Sequence, residues 1–247
     1  MIGHNNLGLA LTRNAMPQRL YSNFMIVDSC IVGRFIGDFS TSTQLFPIFL
    51  YTNTLGEENR ETNFNNNIIS IISNKLGLEF KNTDEKSSSY YNSVNLVDYV
   101  YAILNSMKYR TTYQEFLCRD FPYIPYPTNQ ETFWKLVEIG GKLRECHLMQ
   151  NKFDTAAYSF VGDGTNEVVK PEYKNGRVYI SKTQYFDNVP QAQWEQYIGG
   201  YQPLQKWLKD RKKTMLSAED IEHYKKIIAA LKLTEELMSE IDQVVEF

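Results

Sequence analysis

The 247-residue chain is poor in the residues from which catalytic and metal sites are assembled. Its three cysteines, Cys30, Cys118 and Cys146, are far apart and form no CxxC pair. That argues against a disulfide framework or a zinc knuckle and points to a reducing, cytoplasmic setting. Cys146 and His147 are adjacent, but two neighbours without further ligands make a poor metal site. Histidine is also scarce, with only His4, His147 and His223. No HExxH or GxSxG appears, so zinc hydrolysis and triad chemistry have no constellation to use. No GxxxxGK[ST] or GxGxxG loop is present to cradle a nucleotide. The Asn/Asp-Pro-Pro-aromatic tetrapeptide of amino-methyltransferase sites is missing as well. The longest apolar run, Leu45 to Tyr51, contains Pro47 and is too short to span a bilayer, and no N-terminal apolar signal precedes it. A membrane partner is therefore not expected.

What is there suits a globular domain. Hydrophobic residues make up 43% of the chain and charged ones 22%, which is enough apolar material for a core and too little charge for disorder. Aromatics reach 14%, with 17 tyrosines, so extensive ring packing is expected. Segments 7–13, 24–36 and 44–52 read as strands, the second broken near Asp28–Ser29 and the third demoted by Pro47 to an edge or a bulged position. Asn63 or Asn65 caps a helix over 66–76 whose buried face is Ile68, Ile69, Ile71, Ile72 and Leu76, with Gly77 stopping it. A polar loop over 81–93 leads to helices at 95–106 and 108–119, and then to the proline-rich connector FPYIPYP at 121–127. A helix over 129–149 pairs Glu131 with Lys135 and Glu138 with Lys142 on its solvated face. Its core stripe is Phe133, Leu136, Val137, Gly140 and Leu143.

Near residue 153 the character changes. Asn175–Gly176 between strand-like runs is the strongest hairpin signal in the chain. A short helix follows around 191–197, then the Gly199–Gly200 break and a helix begun by Pro203. The last helix runs from a Ser217–Asp220 capping box to about Asp242, with Ile221, Tyr224, Ile228, Leu231 and Met238 as its stripe. The fold class is α+β: an N-terminal sheet-forming region, central helices, a β-hairpin and C-terminal helices. It reads as one domain over 1–247, open to a division into two lobes near 150–165.

The net charge of −3 is unevenly spread. Residues 170–213 hold nine bases and four acids, whereas 214–247 hold eight acids and three bases. Five of those bases, Lys206, Lys209, Arg211, Lys212 and Lys213, fall within eight positions. On a helix from Pro203, Lys206, Lys209 and Lys213 share one face, opposite Leu204, Trp207 and Leu208. Arg211 is spaced to stack on Trp207, and Asp210 to pair with Lys206. A cationic face of this kind fits contact with nucleic acid, but an ordinary solvated helix end accounts for it equally well. Arg177 and Lys182 beside the hairpin tip the balance toward contact, because a hairpin and a neighbouring helix can approach one groove. The aromatics Tyr185, Phe186, Trp194, Tyr197 and Tyr201 read as packing rather than base-stacking platforms. A minor alternative is a Mg²⁺-dependent nuclease, since Asp163, Glu172 and Lys174 follow the order Asp…Glu-x-Lys.

Seven colinear segments carry a resemblance: NLGLALTR (6–13), FPIFLY (46–51), DFPYIPYP (120–127), ETFWKLVEIGGKLRECHL (131–148), NGRVYISKTQYFDNVP (175–190), YIGGYQPLQKWLKDRK (197–212) and LSAEDIEHYKKIIAAL (216–231). Together they resemble the C-terminal specificity, or target-recognition, region of Type ISP restriction-modification enzymes. The resemblance implies sequence-specific binding of double-stranded DNA, directing adenine-N6 methylation and cleavage by modules that nothing in this sequence resembles. S-adenosylmethionine, ATP and Mg²⁺ are implied only for those modules, and no cofactor or catalytic residue is carried onto this chain. Lys206, Lys209, Arg211, Lys212 and Lys213 are the candidate phosphate contacts. Arg177, Lys182 and Gln184 are the candidate base readers, since Arg and Lys suit guanine and Gln suits adenine. The implied partners are double-stranded DNA and the methyltransferase module of the same enzyme. A protein-docking module, with the basic helix on an acidic partner face, is the rival reading.

Overall fold

The apolar run GLALT forms β1 (Gly8–Thr12), the centre of an antiparallel sheet with β2 (Phe24–Val27) and β3 (Thr43–Pro47) outside it. The computed structural model describes residues 6–13, 19–29, 42–54 and 57–247. β2 stops at Val27, before the bend at Asp28–Ser29, and the remainder of the expected strand, 30–36, lies outside the described residues. Pro47, which has no N–H for a further ladder, closes β3 on the sheet edge. The chain resumes as β4 (Phe49–Thr54), which forms a separate antiparallel ribbon with β5 (Glu57–Thr62).

In α1 (Asn66–Leu76) the Asn65 side chain accepts from the Asn67 N–H at 2.8 Å, and Gly77 ends the helix at φ 64°. Only part of its apolar face is covered. Ile72 and Leu76 are buried, but Ile68 and Ile71 are each 40% exposed, contrary to the periodicity. The helix sits at the rim, and Ile68 lines a groove facing the connector residues 122–127. β6 (Glu79–Phe80) and β7 (Tyr90–Tyr91) form a short parallel pair, so the polar loop is shorter than expected. The anchor is Tyr91, buried and donating its hydroxyl to the Ile69 carbonyl at 3.0 Å.

α2 (Ser93–Asn105) follows, and then two helices where one was expected over 108–119: α3 (Met107–Thr112) and α4 (Gln114–Leu117). Tyr113, at φ −107° and ψ 16°, separates them. α5 (Gln130–His147) carries the expected 2.7 Å Glu131–Lys135 and Glu138–Lys142 pairs outside and buries its whole predicted stripe inside.

The C-terminal part holds a four-stranded antiparallel sheet, ordered β8-β11-β10-β9, from β8 (Phe160–Val161), β9 (Glu172–Lys174), β10 (Arg177–Tyr179) and β11 (Tyr185–Phe186). Helices α6 (Gln191–Glu195), α7 (Pro203–Asp210) and α8 (Ala218–Val244) complete an α+β fold. The described residues form two main hydrophobic cores. One gathers α2, α5 and the N-terminal sheet; the other gathers the second sheet with Leu204, Leu208 and Leu216. α8, about 40 Å long at 1.5 Å per residue, serves both: Tyr224, Ile228 and Leu231 lie in the second core, Leu237 and Ile241 in the first. No helix among the described residues is long and apolar enough to cross a membrane.

Candidate nucleic-acid interface

The amphipathic spacing of PLQKWLKD makes α7: Leu204 and Leu208 are buried against the second core, and Lys206 and Lys209 are exposed. Lys206 pairs with Asp210 and stands 5.8 Å from the centre of the Tyr201 ring. Lys209 donates to Gln205 Oε1 at 3.3 Å. Arg211 lies over Trp207 at 3.7 Å, as its spacing predicted, and its Nε approaches Asp220 at 3.5 Å.

The helix is shorter than the lysine pattern implied. It ends at Asp210, so Lys213 does not share a helical face with Lys206 and Lys209. Lys213 adopts the left-handed conformation at φ 67° and donates its N–H to the Val168 carbonyl at 2.8 Å. Val168 in turn donates to the Thr214 carbonyl at 3.0 Å. These bonds sew the cationic turn to the segment leading into the hairpin, with Lys212 and Lys213 both exposed on it.

The hairpin turn has Asn175 at φ 51° and Gly176 at φ 79°, the type I′ geometry that this pair favours. Its tip is tied down. Val189 donates to the Gly176 carbonyl at 2.8 Å, and Tyr173 stacks on Trp194 at 5.9 Å. Arg177 opens β10 beside this tip, with Nε on Asp187 at 3.0 Å and its guanidinium over Tyr185 at 4.6 Å. Asp187 holds the Arg177 guanidinium above its ordinary pKa through that hydrogen bond.

Lys182 lies at the other end of the sheet. Ile180, just past β10, is about 10 Å along the strand from Arg177 at normal rise, and it accepts from the Val169 and Lys170 N–H groups. The same 168–170 segment holds Lys213. Backbone bonds through the 168–170 segment thus link the exposed Lys182 loop to the turn that carries Lys212 and Lys213, and Arg177 lies at the opposite end.

Gln184 is overturned as a base reader. It is 2% exposed, its Oε1 accepts from the Asn166 N–H at 2.9 Å, and its Nε2 donates to Asn166 Oδ1 at 2.6 Å. The amide braces the turn around Gly162–Asn166 and has no edge to offer a base. The nuclease order fails too. Asp163 follows β8, at one edge of the sheet, while Glu172 and Lys174 lie on β9 at the other. Three strand spacings put them roughly 14 Å apart. Among the described residues, no group of three or more His, Cys, Asp or Glu side chains is placed to hold a metal ion.

Two residues join the cationic end from α8. His223 and Lys226 are exposed on its first turns, and the His223 ring lies 5.9 Å from that of Trp207. Their i, i+3 spacing just after the basic turn is visible in the sequence, but the acidic balance of 214–247 hides it.

The model of the Type ISP C-terminal specificity domain matches residues 1–240. No curated protein matches the chain significantly. Three solved structures share its fold. The Type ISP restriction-modification enzyme LlaBIII, bound to DNA, gives a TM-score of 0.68 at 18% identity over 99% of this chain and 16% of its own. A nuclease-deletion mutant of the Type ISP enzyme LlaGI, with a DNA substrate mimic, gives 0.62 at 17% over 99% and 22%. A DrdV–DNA complex gives 0.65 at 16% over 98% and 25%. The chain thus spans a quarter or less of each of these proteins.

Proposed function

This chain belongs to the Type ISP C-terminal specificity domains, and on that premise we propose that it is a non-catalytic module for sequence-specific recognition of double-stranded DNA. Its role is to direct adenine-N6 methylation and cleavage by other modules of a restriction-modification enzyme, its methyltransferase module among its partners. S-adenosylmethionine, ATP and Mg²⁺ are assigned to those modules. The observation that carries the reading is the grouping of Lys209, Lys212, Lys213 and Lys182, all exposed, at one end of the second lobe. Support comes from three solved relatives of the same fold, each described as a DNA complex. Lys209, Lys212 and Lys213 contact phosphates, with Arg211 and Lys206 held closer to the protein by Trp207 and Asp210. Lys182 is the better placed base reader, and Arg177, braced by Asp187, a position at the opposite end.

Phosphate contacts release counterions, so each lost contact lowers the salt slope of log K by about 0.9. The Lys209/Lys212/Lys213 triple alanine variant should bind all duplexes more weakly, with a slope reduced by up to about 2.7. Lys182→Ala should relax discrimination at one base pair, costing about 1–3 kcal/mol on the preferred site. A triple variant with an unaltered slope would exclude the phosphate assignment and favour a protein partner for this face.

A further inference from the structure

Where α7 meets α8, charged side chains of both signs act on one histidine. His223 is exposed beside Trp207, on whose ring Arg211 is stacked. On its own helix Asp220 and Lys226 act on it, and from the end of α7 Arg211 does. Glu219 lies one turn earlier on the same helical face. Glu222 is occupied elsewhere, accepting from the Thr155 hydroxyl at 2.6 Å and approaching Lys225. Asp220 closes the capping box, accepting from the Ser217 N–H at 3.0 Å. Arg211 and Lys226 therefore act on the imidazole against Asp220, with Glu219 on the same helical face by its spacing alone.

Resting on the DNA-recognition reading, we propose that the DNA-contacting surface continues from the α7 turn onto α8 through His223 and Lys226, with His223 forming a proton-coupled contact to a backbone phosphate. Partial burial, with Arg211 and Lys226 beside it, holds the free histidine below its ordinary value, against the opposite pull of Asp220. A phosphate in place of solvent favours the charged ring, so DNA binding takes up a proton here. Affinity then rises as pH falls through the interval between the bound and free values. This end of the module is a pH-sensitive part of its grip.

The test is binding of a mixed-sequence DNA duplex to the whole chain at pH 8 and pH 5.5, each across a salt series. For a one-unit rise of the histidine on binding, wild-type affinity should gain up to about tenfold more than His223→Gln between the two pH values. Its salt slope should steepen by up to about 0.9 at the lower pH, while that of His223→Gln stays constant. His223→Arg should hold the tighter, pH-independent state, and Lys226→Gln should lower the slope by about 0.9 at both pH values. His147, buried and pushed down to about 4, does not titrate in this range. Equal pH responses in wild type and His223→Gln, with both still binding DNA, would overturn the proton-coupled contact alone. An unchanged slope in Lys226→Gln would overturn the extension onto α8. No salt-dependent binding by wild type at either pH would overturn the DNA reading, and this proposal with it.

Discussion

His147 shows how a buried polar side chain is fixed by its partners. The Thr234 hydroxyl donates to the Ala230 carbonyl at 2.8 Å, so it must accept from His147 Nε2 at 3.0 Å. Nδ1 then accepts from the Tyr101 hydroxyl, which leaves a neutral ring with both nitrogens engaged. Burial pushes its pKa down to about 4. The unfolded chain takes up the proton near the ordinary value of about 6.5, so stability is full above that pH and is lost as pH falls toward 4. The loss should reach about 3 kcal/mol. Urea midpoints at pH 7 and pH 4.5 should therefore diverge more in wild type than in His147→Gln. Cys146, donating to the same Ala230 carbonyl at 3.3 Å and raised to about 11 by burial, is an inert packing thiol. The sequence revealed the poverty of the Cys146–His147 pair as a metal site, because further ligands were missing nearby. It was silent on Thr234, 87 residues away, which supplies the actual partner. Gln184 misled for the same reason: its chemistry suits a base edge, and only the fold wraps the Gly162–Asn166 turn around it.

At the scale of elements, close packing of α2 on α5 centres on Gly140. A Cβ there would lie 1.9 Å from the Asp98 carbonyl oxygen, on the backbone of the facing helix. Next to it Asp98 and Arg144 form a largely buried bidentate pair at 2.7 and 3.1 Å, with burial raising the Asp98 pKa against the pull of Arg144. Gly140→Ala forces the helices apart and strains that pair. It should lower stability by about 1–3 kcal/mol, as overpacking does, and shift the thermal midpoint downward. Gly176 makes the contrast, since an added Cβ there meets nothing within 4 Å and glycine serves its positive φ alone. Local signals were legible: Asn65 and Ser217 cap their helices through hydrogen bonds to residues two or three positions on. The end of α7 was not, because Lys213 is turned by Val168, a residue 45 positions earlier in the chain. The parallel β6–β7 pair escaped as well, since a two-residue strand carries no period to detect.

Across the whole molecule, α8 is the member that both cores share. Ile228 is fully buried in one and Ile241 in the other. Ile228→Ala and Ile241→Ala should each cost about 2–5 kcal/mol. If the helix couples the two cores, each variant should shift one common unfolding transition, seen alike by near-UV and far-UV circular dichroism. Separate transitions, each moved by only one variant, would mean the regions around the two cores unfold independently. The sequence by itself determined the α+β class, most helix starts, the hairpin turn and the cationic composition of 206–213, because caps, periodicity and turn chemistry act over a few residues. The family, too, was legible in its long colinear segments. The tertiary structure decided which charges stand together. Hydrogen bonds from Val168 and Val169 bring Lys213 and the Lys182 loop to one end, the tied hairpin tip leaves Arg177 at the other, and the packing of α8 adds His223 and Lys226. Those groupings depend on contacts between residues far apart in the chain, and no local pattern records them.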